Sequence, residues 1–224
     1  VSNVLLTSPT GAGKSLLFQL SAIYLAKRYG LLTIVVSPLV ALMNDQVEGL
    51  NGYEAVATLN SNKTASEKER ILQGIRDGNI NILYLSPELL LSYSISLFIG
   101  KRQLGLLVVD EAHTVTTWGR DFRVDYWFLG DYLRKTRRIL GYSFPIFALT
   151  ATAVWDPTGN NDMVFDTIRS LNMDPCIKHI GVVKRTNIKF EIEQSNISHN
   201  YENKRKALTI QRIREALQGG RKTI

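Results

Sequence analysis

Residues 8–15, Ser-Pro-Thr-Gly-Ala-Gly-Lys-Ser, have the residue types of a phosphate-binding loop and directly follow the apolar run 4–6. Glycines let consecutive backbone N–H groups turn toward an anion, and a helix beginning after the loop directs the positive end of its dipole there. Lys14 can then reach the outer phosphates, and the Ser15 hydroxyl can ligate Mg²⁺. An ordinary turn before an amphipathic helix is the weaker alternative. The pattern therefore predicts a nucleoside triphosphate site formed by Thr10, Gly11, Ala12, Gly13, Lys14 and Ser15.

A second segment whose residue types could do chemistry is Asp110-Glu111-Ala112-His113, which follows the apolar run 106–109. An aspartate at this position can hold Mg²⁺ opposite Ser15, and the neighbouring glutamate can deprotonate the water that attacks a γ-phosphate. Adjacent carboxylates at the end of a buried strand are costly unless a cation or hydrogen bonds offset them. A metal–phosphate site would supply that offset. An acidic turn that caps the next helix is the alternative interpretation.

The elements that would position these residues are continuous apolar runs, each followed by small polar or acidic side chains. Continuous rather than alternating apolar runs are typical of parallel strands covered on both faces. In such sheets ligands bind at the carboxyl ends of the strands, so these polar ends are expected to form one crevice. The runs are residues 4–6, 34–36, 82–85, 106–109 and 147–149.

Helical patterns alternate with these strands, which predicts an α/β fold with a mostly parallel sheet and helices on both faces. The pattern changes near residue 182, where a short strand over 187–192 and a basic helix over 204–217 are expected. We interpret residues 1–186 as one domain and 187–224 as a linker and the truncated start of a second. The helices are predicted at residues 15–29, 39–50, 64–77, 124–140 and 156–171.

The composition bears on the partners and the cellular setting of the protein. The net charge is +7, but residues 1–177 hold 16 basic and 16 acidic side chains, so the excess belongs to residues 178–224. The basic cluster at 134–138 is compatible with nucleic-acid binding or with an ordinary solvated helix face. The single cysteine, Cys176, excludes an internal disulfide and favours a cytoplasmic setting. No apolar run approaches the roughly 18 residues of a membrane span, so no membrane partner is expected.

Further segments resemble the motifs of one helicase family. Residues 37–47 resemble motif Ia of RecQ-type DNA helicases, and residues 85–90 resemble motif Ib. Residues 118–126 are similar to the aromatic-rich loop after the acidic box, 148–153 match motif III, and 185–188 resemble the element that precedes the second motor domain. With its phosphate loop and Asp-Glu-Ala-His box, the chain is identified as the first RecA-like P-loop NTPase domain of a RecQ-like superfamily-two (DEAH-box) helicase.

The resemblance implies an ATP- and Mg²⁺-dependent motor that translocates on single-stranded DNA and unwinds duplex at single/double-strand junctions. A translocase or remodelling ATPase that does not separate strands remains the alternative, and the oligomeric state stays open. The second motor domain would supply the transition-state arginines, so these residues alone are expected to be poorly active. The implied catalytic residues are Lys14, Asp110, Glu111 and His113; the coupling residues are Thr150 and Thr152; Ser37, Pro38, Ser86 and Pro87 would contact nucleic acid.

The loop after the acidic box suggests a nucleic-acid contact from its residue types alone. Trp118 and Phe122 offer flat faces on which bases can stack, and the interleaved Arg120 and Arg123 offer cations for phosphates. The loop lies close in sequence to the water-activating Glu111, so DNA bound there could influence hydrolysis. The alternative is that Trp118 and Phe122 only pack beneath the next helix.

Overall fold

The computed structural model describes residues 2–116, 128–152, 158, 162–181 and 201–218. The chain divides into two compact units, Val1–Lys184 and Arg185–Ile224. The first unit holds the sheet, the residues of the phosphate loop and the Asp-Glu-Ala-His box. The described part of the second unit is one helix, Tyr201–Gln218.

The centre of the first unit is a parallel sheet of seven described strands in the order β3-β4-β2-β5-β6-β1-β7. The predicted α/β fold with a parallel sheet is confirmed, and all five predicted strands are present. The sequence interpretation did not include β3 and β7, which form the two edges. The strands are β1 Asn3–Thr7, β2 Leu32–Val36, β3 Val56–Leu59, β4 Ile82–Leu85, β5 Leu104–Val109, β6 Ile146–Thr150 and β7 Cys176–Ile180.

Helices cover both faces of the sheet. Successive residues of each central strand point to opposite sides, so the continuous apolar strands present an apolar surface on each face. On β2, Ile34 and Val36 belong to one apolar layer and Val35 to the other. Helices α1 and α2 pack on the Val35 side, and α3 to α7 pack on the other side. The helices are α1 Lys14–Tyr29, α2 Val40–Gly49, α3 Ala65–Arg76, α4 Pro87–Ser92, α5 Ile95–Ile99, α6 Leu129–Leu140, α7 Met163–Ser170 and α8 Tyr201–Gln218.

Local sequence signals account for several helix boundaries. Thr64 forms the predicted capping box: its hydroxyl accepts from Glu67 N (3.3 Å), and Glu67 Oε2 accepts from Thr64 N (2.8 Å). Gly30 ends α1 in a left-handed conformation with φ 67°. The helix predicted over 156–171 begins only at Met163, because the Asp162 carboxylate caps the backbone N–H groups of Val164 and Phe165.

The remaining sequence expectations fall partly outside the described residues. The predicted helix over 124–140 is present as α6 from Leu129, and its first residues, 124–127, lie in a part that the structure does not describe. The predicted strand over 187–192 also lies outside the described residues. Within the described part of the chain, no helix is both long and apolar enough to cross a membrane.

Candidate active site

The carboxyl ends of five neighbouring strands bring the predicted polar residues to one edge of the sheet. In the sheet order β4-β2-β5-β6-β1, the residues at or just after these ends are Ser86, Ser37, Asp110, Thr150 and Thr7. The backbone N–H of Asp110 donates to the carbonyl of Val36 (2.9 Å), and the N–H of Ser8 donates to the carbonyl of Thr150 (3.1 Å). Pairing of the strands therefore continues into the segments that carry the candidate site.

The loop before α1 has the backbone geometry of an anion-binding turn. Gly11 and Gly13 have φ of 83° and 76°, values that side-chain-bearing residues rarely adopt. The Lys14 ammonium donates to the carbonyls of Ser8 and Pro9, both at 2.9 Å, so its charge lies inside the loop. The first turn of α1 reads Lys-Ser-Leu-Leu and carries no negative charge that would oppose an incoming phosphate.

Asp110 is a largely buried carboxylate held in a fixed orientation. Its Oδ1 accepts from the backbone N–H of Glu111 (3.0 Å), and its Oδ2 lies 3.4 Å from the Ser37 hydroxyl, which donates to it. Burial raises the pKa of Asp110 above its usual value, and the Glu111 carboxylate raises this pKa further. The two hydrogen bonds and the Lys14 charge act in the opposite direction without cancelling the effect. A cation at this carboxylate would therefore relieve an unfavourable burial.

Glu111 has a strained backbone next to that carboxylate. Its φ of 48° and ψ of 44° are left-handed values that are uncommon for residues other than glycine. Its side chain is half-buried, and burial raises the pKa of its carboxyl while Lys14 lowers it. Lys14 lowers the pKa of both Asp110 and Glu111, as expected for a cation at the same edge of the sheet.

His113 connects the acidic box to the end of β6. Its Nδ1 lies 2.9 Å from Thr150 Oγ1 and 3.4 Å from Glu111 Oε2. Burial lowers the pKa of His113, with Asp110 acting against it, so the ring is mainly neutral at pH 7 and its contact with Glu111 is not an ion pair. Thr150 Oγ1 also accepts from the backbone N–H of Thr152 (3.2 Å). A continuous chain of polar contacts thus runs from Glu111 to Thr152.

The donor atoms at this edge fit Mg²⁺. Magnesium prefers hard oxygen ligands and is commonly held by one or two protein oxygens together with phosphate and water. The Ser15 hydroxyl and the Asp110 carboxylate are such oxygens, and the burial of Asp110 favours a cation there. Groups of three or more His, Cys, Asp or Glu side chains that could hold a metal without phosphate are not found among the described residues.

The residues expected to contact nucleic acid divide into two groups. Ser37, Pro38, Ser86 and Pro87 are all buried. The Ser37 hydroxyl donates to Asp110, and the Ser86 hydroxyl caps α4 by accepting from Leu89 N (3.4 Å). Both hydroxyls thus make internal contacts, and their predicted contact with nucleic acid stays a prediction. The second group, Trp118, Arg120, Phe122 and Arg123, lies outside the described residues.

Sequence reasoning missed the role of Ser37 as a partner of Asp110. The two residues are 73 positions apart, and only the pairing of β2 with β5 brings them together. The available signal was that Ser37 and Asp110 each follow a buried strand directly. That signal predicted a shared crevice, but it gave no pairing within it.

The raised pKa of Glu111 predicts a pH-dependent stability. The folded state binds the proton of the Glu111 carboxyl more tightly than the unfolded state does. Proton binding at Glu111 therefore stabilises the fold fully below the ordinary pKa, and this stabilisation is lost as the pH rises through the raised pKa. Without nucleotide, Glu111→Gln should therefore unfold at a higher temperature than the wild type at pH 8. This difference should shrink toward pH 4. Glu48→Gln, at an exposed carboxylate of α2, is the control in thermal unfolding; a pH-independent difference would contradict the burial argument.

Comparisons with known proteins identify the family of this chain. The family model described as DEAD/DEAH box helicase matches residues 1–158. The chain is 36% identical over 197 residues to the ATP-dependent DNA helicase RecQ of Haemophilus influenzae, a match covering 86% of this chain and 29% of that protein. It is also 36% identical over 189 residues to the probable ATP-dependent DNA helicase RecS of Bacillus subtilis, covering 84% of this chain and 35% of that protein.

A comparison with solved structures supports the fold. The helicase Lhr of Mycobacterium smegmatis, solved bound to single-stranded DNA and AMP-PNP, superposes with a TM-score of 0.61 at 22% identity. The match covers 81% of this chain and 24% of that one. The chain therefore spans about a third or less of each of these three proteins.

Proposed function

Because this chain belongs to the DEAD/DEAH box helicase family, we propose that it is the first motor domain of a RecQ-like, ATP-dependent DNA helicase. The domain would couple ATP hydrolysis to movement along single-stranded DNA and to unwinding of duplex. The observation that carries the proposal is that the strand pairing brings Lys14, Asp110 and Glu111 to the same edge of the sheet. The two named relatives, both ATP-dependent DNA helicases by description, support DNA as the nucleic acid.

In this proposal the loop of residues 10–15 binds the phosphates of ATP. The backbone N–H groups at Gly11 and Gly13 and the start of α1 face the anion, and Lys14 exchanges its bonds to the Ser8 and Pro9 carbonyls for bonds to phosphate oxygens. Ser15 and Asp110 would hold Mg²⁺, which neutralises charge on the phosphate oxygens when bound.

Glu111 is the proposed general base. It accepts a proton from water as the water oxygen forms a bond to the γ-phosphorus, and the bond from that phosphorus to the bridging oxygen of ADP breaks. A raised pKa makes Glu111 a stronger proton acceptor once it is ionised. Its contact with His113 and the left-handed backbone restrict the carboxylate to a small range of positions.

The contacts among His113, Thr150 and Thr152 are the proposed coupling route out of the hydrolytic site. Thr150 ends β6, and Thr152 lies at the start of the segment that leaves the sheet. A change in the position of Glu111 on hydrolysis would reach this segment through the 2.9 Å contact between His113 Nδ1 and Thr150 Oγ1. The route links the acidic box to a segment that the family resemblance associates with helicase activity.

The partner in this proposal is DNA, as a single strand and at its junction with duplex, and the setting is cytoplasmic. The aromatic loop with Trp118, Arg120, Phe122 and Arg123 would provide the side-chain contacts. Because Ser37 and Ser86 bond internally, the segments 37–39 and 86–88 would contribute backbone groups and exposed neighbours such as Leu39, which is 51% exposed.

Trp118→Ala or Phe122→Ala in the intact protein should weaken the response to DNA. Stacking of one base on an aromatic ring is worth about 1–3 kcal/mol, so the DNA concentration that half-activates the ATPase should rise roughly tenfold to a hundredfold. The measurement is ATPase rate titrated with single-stranded DNA, and the rate without DNA is the internal reference. If the rate without DNA falls in proportion, the rings serve packing and the loop assignment is wrong.

A further inference from the structure

Gln19 lies where three elements of the motor domain meet. It is on α1, one helical turn beyond Ser15 of the phosphate loop. Its amide nitrogen, Nε2, lies 2.6 Å from Gln46 Oε1 on α2 and 3.4 Å from the Tyr84 hydroxyl on β4. One side chain thus joins the phosphate-loop helix to a second helix and to a strand of the sheet.

The surroundings make this a specific contact rather than a solvated one. Tyr84 is 1% exposed, and both glutamines are half-buried. Burial raises the pKa of Tyr84 to about 12, so its hydroxyl remains protonated at neutral pH. The apolar layer beneath α1 and α2 includes Phe18 and Met43, and the Phe18 ring meets the Tyr84 ring edge-on at 6.5 Å. The amide therefore lies at the margin of an apolar contact between helices.

The partners of Gln19 belong to elements that adjoin the candidate site. Helix α2, which carries Gln46, begins directly after the segment 37–39, where Ser37 bonds to Asp110. Strand β4, which carries Tyr84, ends directly before Ser86 and Pro87. The two elements that Gln19 contacts are therefore those that carry both segments proposed above to lie near nucleic acid.

We propose that Gln19 is a positioning residue that fixes α1 against α2 and β4, so that nucleotide in the phosphate loop changes the affinity of the motor for single-stranded DNA. Leucine would fill a similar volume at the same helix position and bury more apolar surface. A polar pair at the margin of an apolar layer can instead specify one relative arrangement of two packed elements, the use best attested for buried polar groups. The inference rests on the proposed function, because it assumes that both ligands bind.

The test measures the coupling between the two ligands in the intact protein. The dissociation constant for a dye-labelled single-stranded DNA is measured by anisotropy, with and without AMP-PNP and Mg²⁺, and the ratio of the two constants is the coupling factor. Gln19→Leu should move this ratio toward one by roughly twofold to tenfold, the effect of one hydrogen bond. The affinity for AMP-PNP without DNA should stay at the wild-type level.

Three further variants separate positioning from simple packing. Gln46→Glu keeps an acceptor for the Gln19 amide and should retain the wild-type ratio, whereas Gln46→Leu should reduce it as Gln19→Leu does. The double variant Gln19→Leu/Gln46→Leu should lose no more than either single variant, because all three remove the same bond. Gln73→Leu on α3, where the amide bonds to Asp77 on the surface, is the control for removal of a glutamine.

The possible results distinguish failure of the positioning role from failure of the proposed function. A wild-type ratio in Gln19→Leu, or losses that add in the double variant, would overturn the positioning role. If Gln19→Leu does not fold, Gln46→Leu is compared with Gln46→Glu under the same criteria. If the wild type itself shows no DNA binding or a ratio of one, the proposed function fails, and this inference fails with it.

Discussion

Lys14→Ala is expected to reduce the affinity for Mg-ATP by roughly a hundredfold or more. The ammonium lies inside the phosphate loop, 2.9 Å from the carbonyls of Ser8 and Pro9, and is the cation positioned to meet the outer phosphates. Hydrogen bonds to charged groups contribute about 1.5–3 kcal/mol each, so loss of two such bonds gives an effect of this size. Isothermal titration calorimetry of the intact protein with Mg-ATP measures it.

The matched control for Lys14→Ala is Lys27→Ala. Lys27 lies on the same helix, α1, but near its far end and exposed to solvent. Its removal also lowers the net charge by one, so a general electrostatic effect would appear in both variants. Wild-type affinity in Lys14→Ala, or an equal loss in Lys27→Ala, would contradict the assignment of the phosphate loop.

Glu111→Gln should bind ATP but turn it over at least about a hundredfold more slowly, the lower range for loss of a positioned general base. The amide keeps the shape of the side chain and its contact with His113, but it cannot accept the proton of the attacking water. Steady-state phosphate release with saturating DNA gives the turnover, and ATP titration gives the binding. Turnover close to that of the wild type would mean that another group activates the water.

The local motifs of the site could be predicted from the sequence because their chemistry lies in adjacent residues. Gly11, Gly13 and Lys14 specify a loop whose backbone angles are those the glycines were expected to supply. The placement of Asp110 at the end of a buried strand followed from the apolar run before it. The central strands were recognisable for the same reason: they are buried on both faces and read as uninterrupted apolar runs.

The edges of the sheet could not be predicted in this way. Strand β7 reads Cys-Ile-Lys-His-Ile, and four of its five residues are exposed. Strand β3, Val-Ala-Thr-Leu, is short and only partly buried. An edge strand pairs on one side only, and neither segment shows the continuous apolar pattern of the centre. Their assignment depends on the neighbouring strand, which the local sequence does not contain.

Contacts between residues far apart in the chain could not be predicted from the sequence either. The hydrogen bond from Gln19 to Gln46 spans 27 positions, and the bond from Ser37 to Asp110 spans 73. Each residue type has many common roles, and only the packing of α1 on α2 or the pairing of β2 with β5 selects one. The late start of α7 had a local cause: Asp162 caps a helix that begins at Met163, seven residues after the predicted start at residue 156.

The most direct test of the central claim is strand separation by the intact protein. The substrate is a dye-labelled DNA duplex with a single-stranded tail, supplied with Mg²⁺ and ATP, and release of the labelled strand is followed over time. The proposal predicts release that requires ATP and is lost in Lys14→Ala and Glu111→Gln, with Lys27→Ala as the active control. ATP hydrolysis that single-stranded DNA stimulates without any release of the labelled strand would contradict unwinding and indicate a translocase that leaves the duplex intact.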